Sequence, residues 1–274
     1  MPSQRITRFF PGLNAEPPFS PLAMLGLPNP LNYHIFYDDF DDSLGASGIY
    51  TATKSGNGTI AHAAGDGGSI LFTTNSSTPS AADLCSIQLP AAGFTFEAGK
   101  RMFFLVRLKL SSATNAELLA GLMQTTTTPF TITDGLVFHK PTGALTGLVL
   151  KGVNSSTAVS LTIPTAAYSL ANSTYIDLAW FMDRRQIVYA FVGSQLVGYM
   201  PWSGTGSTNA AGVSALPVKG ACAAMAPSGL QAVNPTSVVF SPTSANLNLT
   251  VAIKSGTAAS STMTVDFVLA AKER

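Results

Sequence analysis

The chain is cut into short apolar segments by Gly, Pro, Asn and Ser, and several of them alternate with a period of two. In "NLNLTVAIK", Leu247, Leu249, Val251 and Ile253 fall on one side, with Asn248, Thr250 and Ala252 on the other. In "TMTVDFVLA" the same count puts Met263, Val265, Phe267 and Leu269 together, opposite Thr264, Asp266 and Val268. Side chains that alternate in this way fit a half-buried antiparallel strand, since successive residues of a strand face opposite ways. Further segments rich in Val, Ile, Phe, Tyr and Thr read as strands at 33–40, 49–55, 69–74, 101–110, 135–140, 147–153, 175–183, 186–193, 195–201 and 237–241. "DRRQ" (183–186) predicts a tight hairpin with a charged, wet tip between the two most hydrophobic of them.

One stretch competes as a helix. "NAELLAGLMQ" (115–124) has Asn115 as an N-cap candidate and good helix formers after it. Gly121 inside it and the strand-rich surroundings favour a strand. About thirteen to fifteen strands without alternating helices predict an all-β fold, a large two-sheet antiparallel jelly-roll sandwich. No repeat of roughly 20–50 residues suggests a propeller or solenoid. "SGTGSTNAAGVSALP" (203–217) reads as a surface insertion within this sandwich, assigned to residues 31–274.

Residues 1–30 read differently. Six of the seventeen prolines stand at Pro11, Pro17, Pro18, Pro21, Pro28 and Pro30, a spacing that excludes a helix. Yet Phe9, Phe10, Leu13, Phe19, Leu22, Met24, Leu25 and Leu27 make the segment more apolar than an ordinary disordered tail. The expectation is an extended arm that another surface covers.

Only 11% of the residues are charged, against about 25% in typical soluble domains, and the net charge is +1. Arg5, Arg8, Arg101 and Arg107 are scattered, so nothing points to nucleic acid or to an anionic membrane as a partner. Prolines interrupt the place where a signal peptide would carry its apolar stretch, and no run of about 18 apolar residues suggests a membrane span. Cys85 and Cys222 both lie in apolar surroundings and are expected to be buried free thiols rather than a disulfide framework.

Candidate chemistry is sparse. Asp38, Asp39, Asp41 and Asp42 form the only acidic cluster, but alternation splits them between two faces and the EF-hand spacing is missing, so a solvated strand end is expected. Asp177 and Asp183 share parity at about 20 Å along one strand, too far for an acid–base pair. His34, His62 and His139 show no metal spacing, and neither a GxSxG elbow nor a P-loop occurs. The chain is therefore expected to be no enzyme, with no catalytic residues, cofactor or metal. Trp180, inside an apolar run, is assigned to the core. Trp202 and Tyr199, where a strand meets a Gly/Ser loop, are the candidates for stacking on a sugar.

The segments "YDDF", "GKRMFFLVRLKL", "DLAWFMDRRQIVYAFV" and "TMTVDFVLAAKER" together resemble the concanavalin A-like (lectin/glucanase) sandwich over roughly residues 31–274. That resemblance implies that the first and last strands are neighbours. More narrowly, the chain looks like the lectin-like structural proteins of tailed-bacteriophage virions, often capsid decoration (cement) proteins. It implies a non-enzymatic virion protein, assembled in the host cytoplasm, a homo-oligomer that binds the major capsid protein or another virion protein. The glucanases' paired carboxylates and the legume lectins' metal cluster have no counterpart, so neither activity carries over. Arg8, Phe9, Phe10, Phe19 and Leu22 are the expected partner-binding residues of the arm. The alternative is a carbohydrate-binding module for host recognition that uses Trp202 and Tyr199; an atypical glycoside hydrolase ranks last.

Overall fold

The structure, a computed structural model, describes residues 31–41, 48–63, 68–75, 77–90, 93–143, 147–164, 170, 172–193, 195–201 and 245–274. In chain order these residues form β1 (Tyr33–Asp38), β2 (Thr51–Lys54), β3 (Thr59–His62), β4 (Ile70–Thr73) and β5 (Leu84–Gln88). Next come β6 (Met102–Leu110), β7 (Ala116–Met123), β8 (Gly135–Lys140), β9 (Val149–Asn154) and β10 (Thr157–Thr162). The last five are β11 (Ile176–Met182), β12 (Ile187–Val192), β13 (Gln195–Pro201), β14 (Asn248–Ser255) and β15 (Thr262–Glu273). No helix among the described residues is long and apolar enough to cross a membrane.

The strands make an eight-stranded sheet in the order β13-β12-β11-β6-β15-β4-β3, with β1 also on β15, and a seven-stranded sheet in the order β10-β9-β8-β7-β14-β5-β2. All pairings are antiparallel, and β1 runs along the C-terminal half of β15, so the first and last described strands are neighbours. One apolar layer fills the space between the sheets, with Trp180 of β11 fully buried and stacked on Phe104 of β6 at 6.1 Å. The stretch 115–124 forms a strand over Ala116–Met123, as β7. Gly121 explains part of that choice: a Cβ there would stand 2.4 Å from the Leu136 carbonyl oxygen, so its packing against β8 requires a bare backbone.

Two alternation readings need correction. The inward set of β14 is Leu249, Val251 and Ile253 as expected, but the strand is buried on both faces rather than one. The loop 124–134 accounts for this, because Phe130 and Ile132 pack with Leu119, Val137 and Ala252 on the sheet's outer side. In β15, Met263 and Val265 face the core but Phe267 and Leu269 face outward, and Val268 and Ala270 replace them inside. A β-bulge between Val265 and Phe267 inserts one residue and reverses the parity.

The "DRRQ" hairpin joins β11 to β12, closed by the Gln186 N–H donating to the Asp183 carbonyl at 3.0 Å. Strands β3 and β10 were not legible, being short and mostly exposed. The segment 237–241 lies outside the described residues.

Candidate functional site

Strand β11 pairs with β6 near the middle of the eight-stranded sheet and with β12 on its other side, and all three are apolar on both faces over most of their length. Strand register lines up their outward side chains. One row crosses six strands as Ile35, Ala271, Phe103, Phe181, Tyr189 and Tyr199. The next is Tyr37, Leu269, Leu105, Ala179, Phe191 and Leu196. Phe181 and Tyr189 stack at 6.2 Å, and Tyr37 approaches Phe267 at 6.4 Å. Phe103 and Phe191 are buried (0% and 1% exposed), whereas Tyr37 at the β1 edge is 49% exposed.

Polar groups border the rows at both ends. At one end Arg184 pairs with Glu273, while Asp183 accepts from the Ile187 N–H at 2.9 Å and from Arg185 Nε at 3.0 Å. Hydrogen bonding to Arg184 holds the Glu273 carboxyl below its ordinary pKa. At the other end Arg107 Nε lies 3.4 Å from Asp266 and 3.8 Å from Asp177. Burial raises the Asp177 pKa, helped by the Asp266 charge and opposed by Arg107. Arg107 and Lys109 both sit over the Tyr175 ring, at 5.2 and 4.6 Å. Two carboxylates that share one neighbour invite comparison with a glycosidase pair. Here a guanidinium stands between them, which makes the group an ion network rather than an acid–base pair.

The outer side of the other sheet carries a second polar group. His139 Nε2 lies 2.9 Å from Glu117 Oε1, and Lys254 Nζ lies 3.5 Å from Glu117 Oε2. Burial alone would raise the Glu117 pKa, but the His139 hydrogen bond and the Lys254 charge bring it below its ordinary value. Sequence spacing could not reveal this group, because its members come from β7, β8 and β14.

Of the acidic segment, Asp41 is exposed as a solvated strand end would be, and Asp38 is not. Asp38 is buried, accepting from the Tyr50 hydroxyl at 2.7 Å and from the Phe40 N–H at 2.8 Å. Phe40 turns its fully buried ring into the core from a left-handed backbone, φ 57°. The structure has spent Asp38 on holding that turn, while Asp42 lies outside the described residues. Among the described residues no group of three or more His, Cys, Asp or Glu could hold a metal ion. Cys85 is a buried free thiol, and Cys222 lies outside the described residues.

Tyr199 is half-buried in the outer row opposite Tyr189, near the end of β13. Trp202 and the arm residues Arg8, Phe9, Phe10, Phe19 and Leu22 lie outside the described residues.

No protein-family model matches the chain, and no curated protein sequence does. Solved structures do match. A protein of unknown function from Shewanella oneidensis MR-1 aligns with a TM-score of 0.52 and 14% identity, covering 88% of this chain and 87% of that one. The carbohydrate recognition domain of Emp47p aligns at 0.51 and 10%, covering 90% and 99%. The β-glucanase of Bacillus licheniformis aligns at 0.50 and 11%, covering 86% and 97%. The fold is a concanavalin A-like sandwich. Such low identities establish the architecture and leave activity to the side chains, since one fold hosts many functions.

Proposed function

We propose that this chain is a non-enzymatic structural protein of a tailed-phage virion. In this reading it is a capsid decoration (cement) protein that docks on the major capsid protein or another virion protein through residues 1–30 and its loops. The observation that carries the proposal is the outer face of the eight-stranded sheet, two apolar rows across six strands. Rows this apolar on a sheet's outer side, most of their members buried, suit a covered contact surface better than chemistry. The carboxylates nearest to it, Asp177, Asp183, Asp266 and Glu273, are held by arginines.

Light scattering and co-sedimentation with purified shells test this, comparing the full chain with one that starts at Leu31. The expected result is association or shell binding that the shorter chain loses while staying folded. Equal shell binding by both chains would count against the arm, and no binding by either would remove the virion role.

A second reading, a carbohydrate-binding module, is favoured by one feature: Tyr37 is an exposed ring on the same face that carries half-buried Tyr199. One solved structure of this fold is itself a carbohydrate recognition domain. Glycan-array binding that weakens in Tyr199→Ala and Trp202→Ala would support that reading, and an array without signal would end it.

A further inference from the structure

Charge is unevenly placed over the eight-stranded sheet. Register sets Met182 of β11, Met102 of β6 and Lys272 of β15 side by side. The β11–β12 turn, the residues before β6 and the last residues of β15 therefore leave the sheet at one end. Neighbouring strands lie about 4.8 Å apart, so the three segments form a ledge roughly 10 Å wide. The Glu273 N–H donates to the Arg101 carbonyl at 2.8 Å and Lys100 Nζ to the Arg274 carbonyl, which ties two of them together, while the Arg184–Glu273 pair adds the turn. Onto this ledge the chain brings Lys100, Arg101, Arg184, Arg185, Lys272 and Arg274, against the carboxylates of Glu97, Asp183 and Glu273. The chain as a whole has a net charge of only +1.

The long segments outside the described residues carry no charge that would cancel this excess. Residues 202–244 contain Lys219 and no Asp or Glu, and residues 1–30 contain Arg5 and Arg8 against Glu16. Asp38, Asp39 and Asp41 belong to the far end of β1, since Tyr33 pairs with Glu273 and Asp38 with Val268.

Depth sharpens the sign of the surface. The Glu273 and Asp183 side chains are each 14% exposed, whereas their partners Arg184 and Arg185 are 60% and 73% exposed. The acids are sunk at the sheet end and the guanidiniums project. Lys272 and Glu97, 3.2 Å apart, are the reverse, with the acid outermost. A guanidinium carries five N–H donors in a planar fork. Arg184 gives Nε and one terminal nitrogen to Glu273, and Arg185 gives Nε to Asp183 and one terminal nitrogen to the Tyr189 hydroxyl. Both arginines are thus held in place with a further terminal nitrogen on the projecting side, on a turn that Asp183 itself closes through the Ile187 N–H.

We propose that this end of the sheet is a docking surface for an acidic protein segment, with Arg184, Arg185 and Lys100 meeting its Asp and Glu side chains. The planar fork suits carboxylates, and the complementary charge speeds their encounter. A nucleic-acid strand suits the ledge less, because carboxylates stand among the cations and the turn 183–186 has no aromatic ring on which a base could stack. The inference rests on the assembly reading only for the partner's identity, which that reading makes a virion protein.

The test is fluorescence anisotropy of a labelled poly-L-glutamate peptide titrated with the full chain near neutral pH. The peptide should bind, and raising salt from about 50 to 300 mM should weaken binding about tenfold. Arg184→Gln, Arg185→Gln and Lys100→Gln combined should weaken it by about as much in a protein that still melts cooperatively. Arg185→Gln alone, at the most exposed of the three, should weaken it about threefold and guards against a combined variant that fails to fold. Lys54→Gln, Lys109→Gln and Lys151→Gln combined remove the same charge elsewhere and should leave binding within about twofold. No binding by the parent, equal losses in the two combined variants, or tighter binding of a charge-matched DNA duplex or heparin oligosaccharide would overturn the proposal. Co-sedimentation with purified shells is scored separately. Peptide binding by a protein that ignores shells defeats the virion role alone, and shell binding without peptide binding defeats this inference alone.

Discussion

Lys140 ends β8 on the side of the strand that carries Leu136 and Phe138 into the core, and it is fully buried. Its Nζ donates to the Ala116 carbonyl at 2.7 Å and the Pro141 carbonyl at 3.0 Å. Burial pushes its pKa down from 10.5 to about 8, and the Glu117 charge limits the fall. The folded chain therefore releases this proton before the unfolded chain does. Between about pH 8 and 10.5 the unfolded state binds the proton and the folded state does not, so stability rises with pH across that window. At 1.4 kcal/mol per unit the whole rise is about 3 kcal/mol. Cys85 works the other way above pH 9, because burial raises its thiol from 9.0 to about 11 and the unfolded chain ionises first. The clean interval is therefore about one unit wide, and a comparison with Lys140→Met extends it, since both proteins keep Cys85. Near neutral pH the variant should be less stable than the parent, because Met leaves the Ala116 and Pro141 carbonyls without their donor. Urea unfolding at steps from about pH 7 to 10 should then show the parent gaining on the variant by about 2–3 kcal/mol. A stability difference that stays constant over that range would refute the reasoning.

Glu117→Gln should cost about 1–2 kcal/mol at neutral pH. Because the folded carboxyl lies below its ordinary pKa, that stabilisation is present above the unfolded value and fades as pH falls through the folded one, so thermal melts of parent and variant should converge in acid. Gly121→Ala forces a Cβ to 2.4 Å from the Leu136 carbonyl oxygen and should destabilise by about 1–3 kcal/mol in denaturant titrations. Arg107→Ala removes the cation between Asp177 and Asp266, so the Asp177 carboxyl should titrate at still higher pH in an NMR-monitored titration.

Much of the architecture was legible because local pattern and global packing agree. The inward Leu249, Val251 and Ile253, the hairpin at 183–186 and the core position of Trp180 all follow from segments whose side chains alternate or run apolar throughout. The β15 parity was not legible, since a bulge is set by the partner strand and leaves no sign in "TMTVDFVLA". Nor was the burial of Asp38 and Lys140 legible: both look like surface residues until Tyr50 and the Ala116 carbonyl arrive from elsewhere in the chain. The apolar runs at 102–106, 178–182 and 187–192 do announce strands covered on both faces. Their alignment into rows across six strands depends on register, which only long-range pairing decides.

Those rows also account for the composition. A sandwich with two wet outer faces needs polar side chains on alternate positions of nearly every strand, and a chain that is 11% charged has few of them. One sheet answers with loop 124–134, tied down by the Thr126 N–H donating to Gln88 at 3.2 Å and by Asn248 bonding Thr125. With that outer face covered, Ala252, Leu119 and Val137 can be apolar on the side away from the core. The other sheet has more and larger apolar side chains outside, among them Phe103, Phe181 and Phe191, and therefore needs a larger cover.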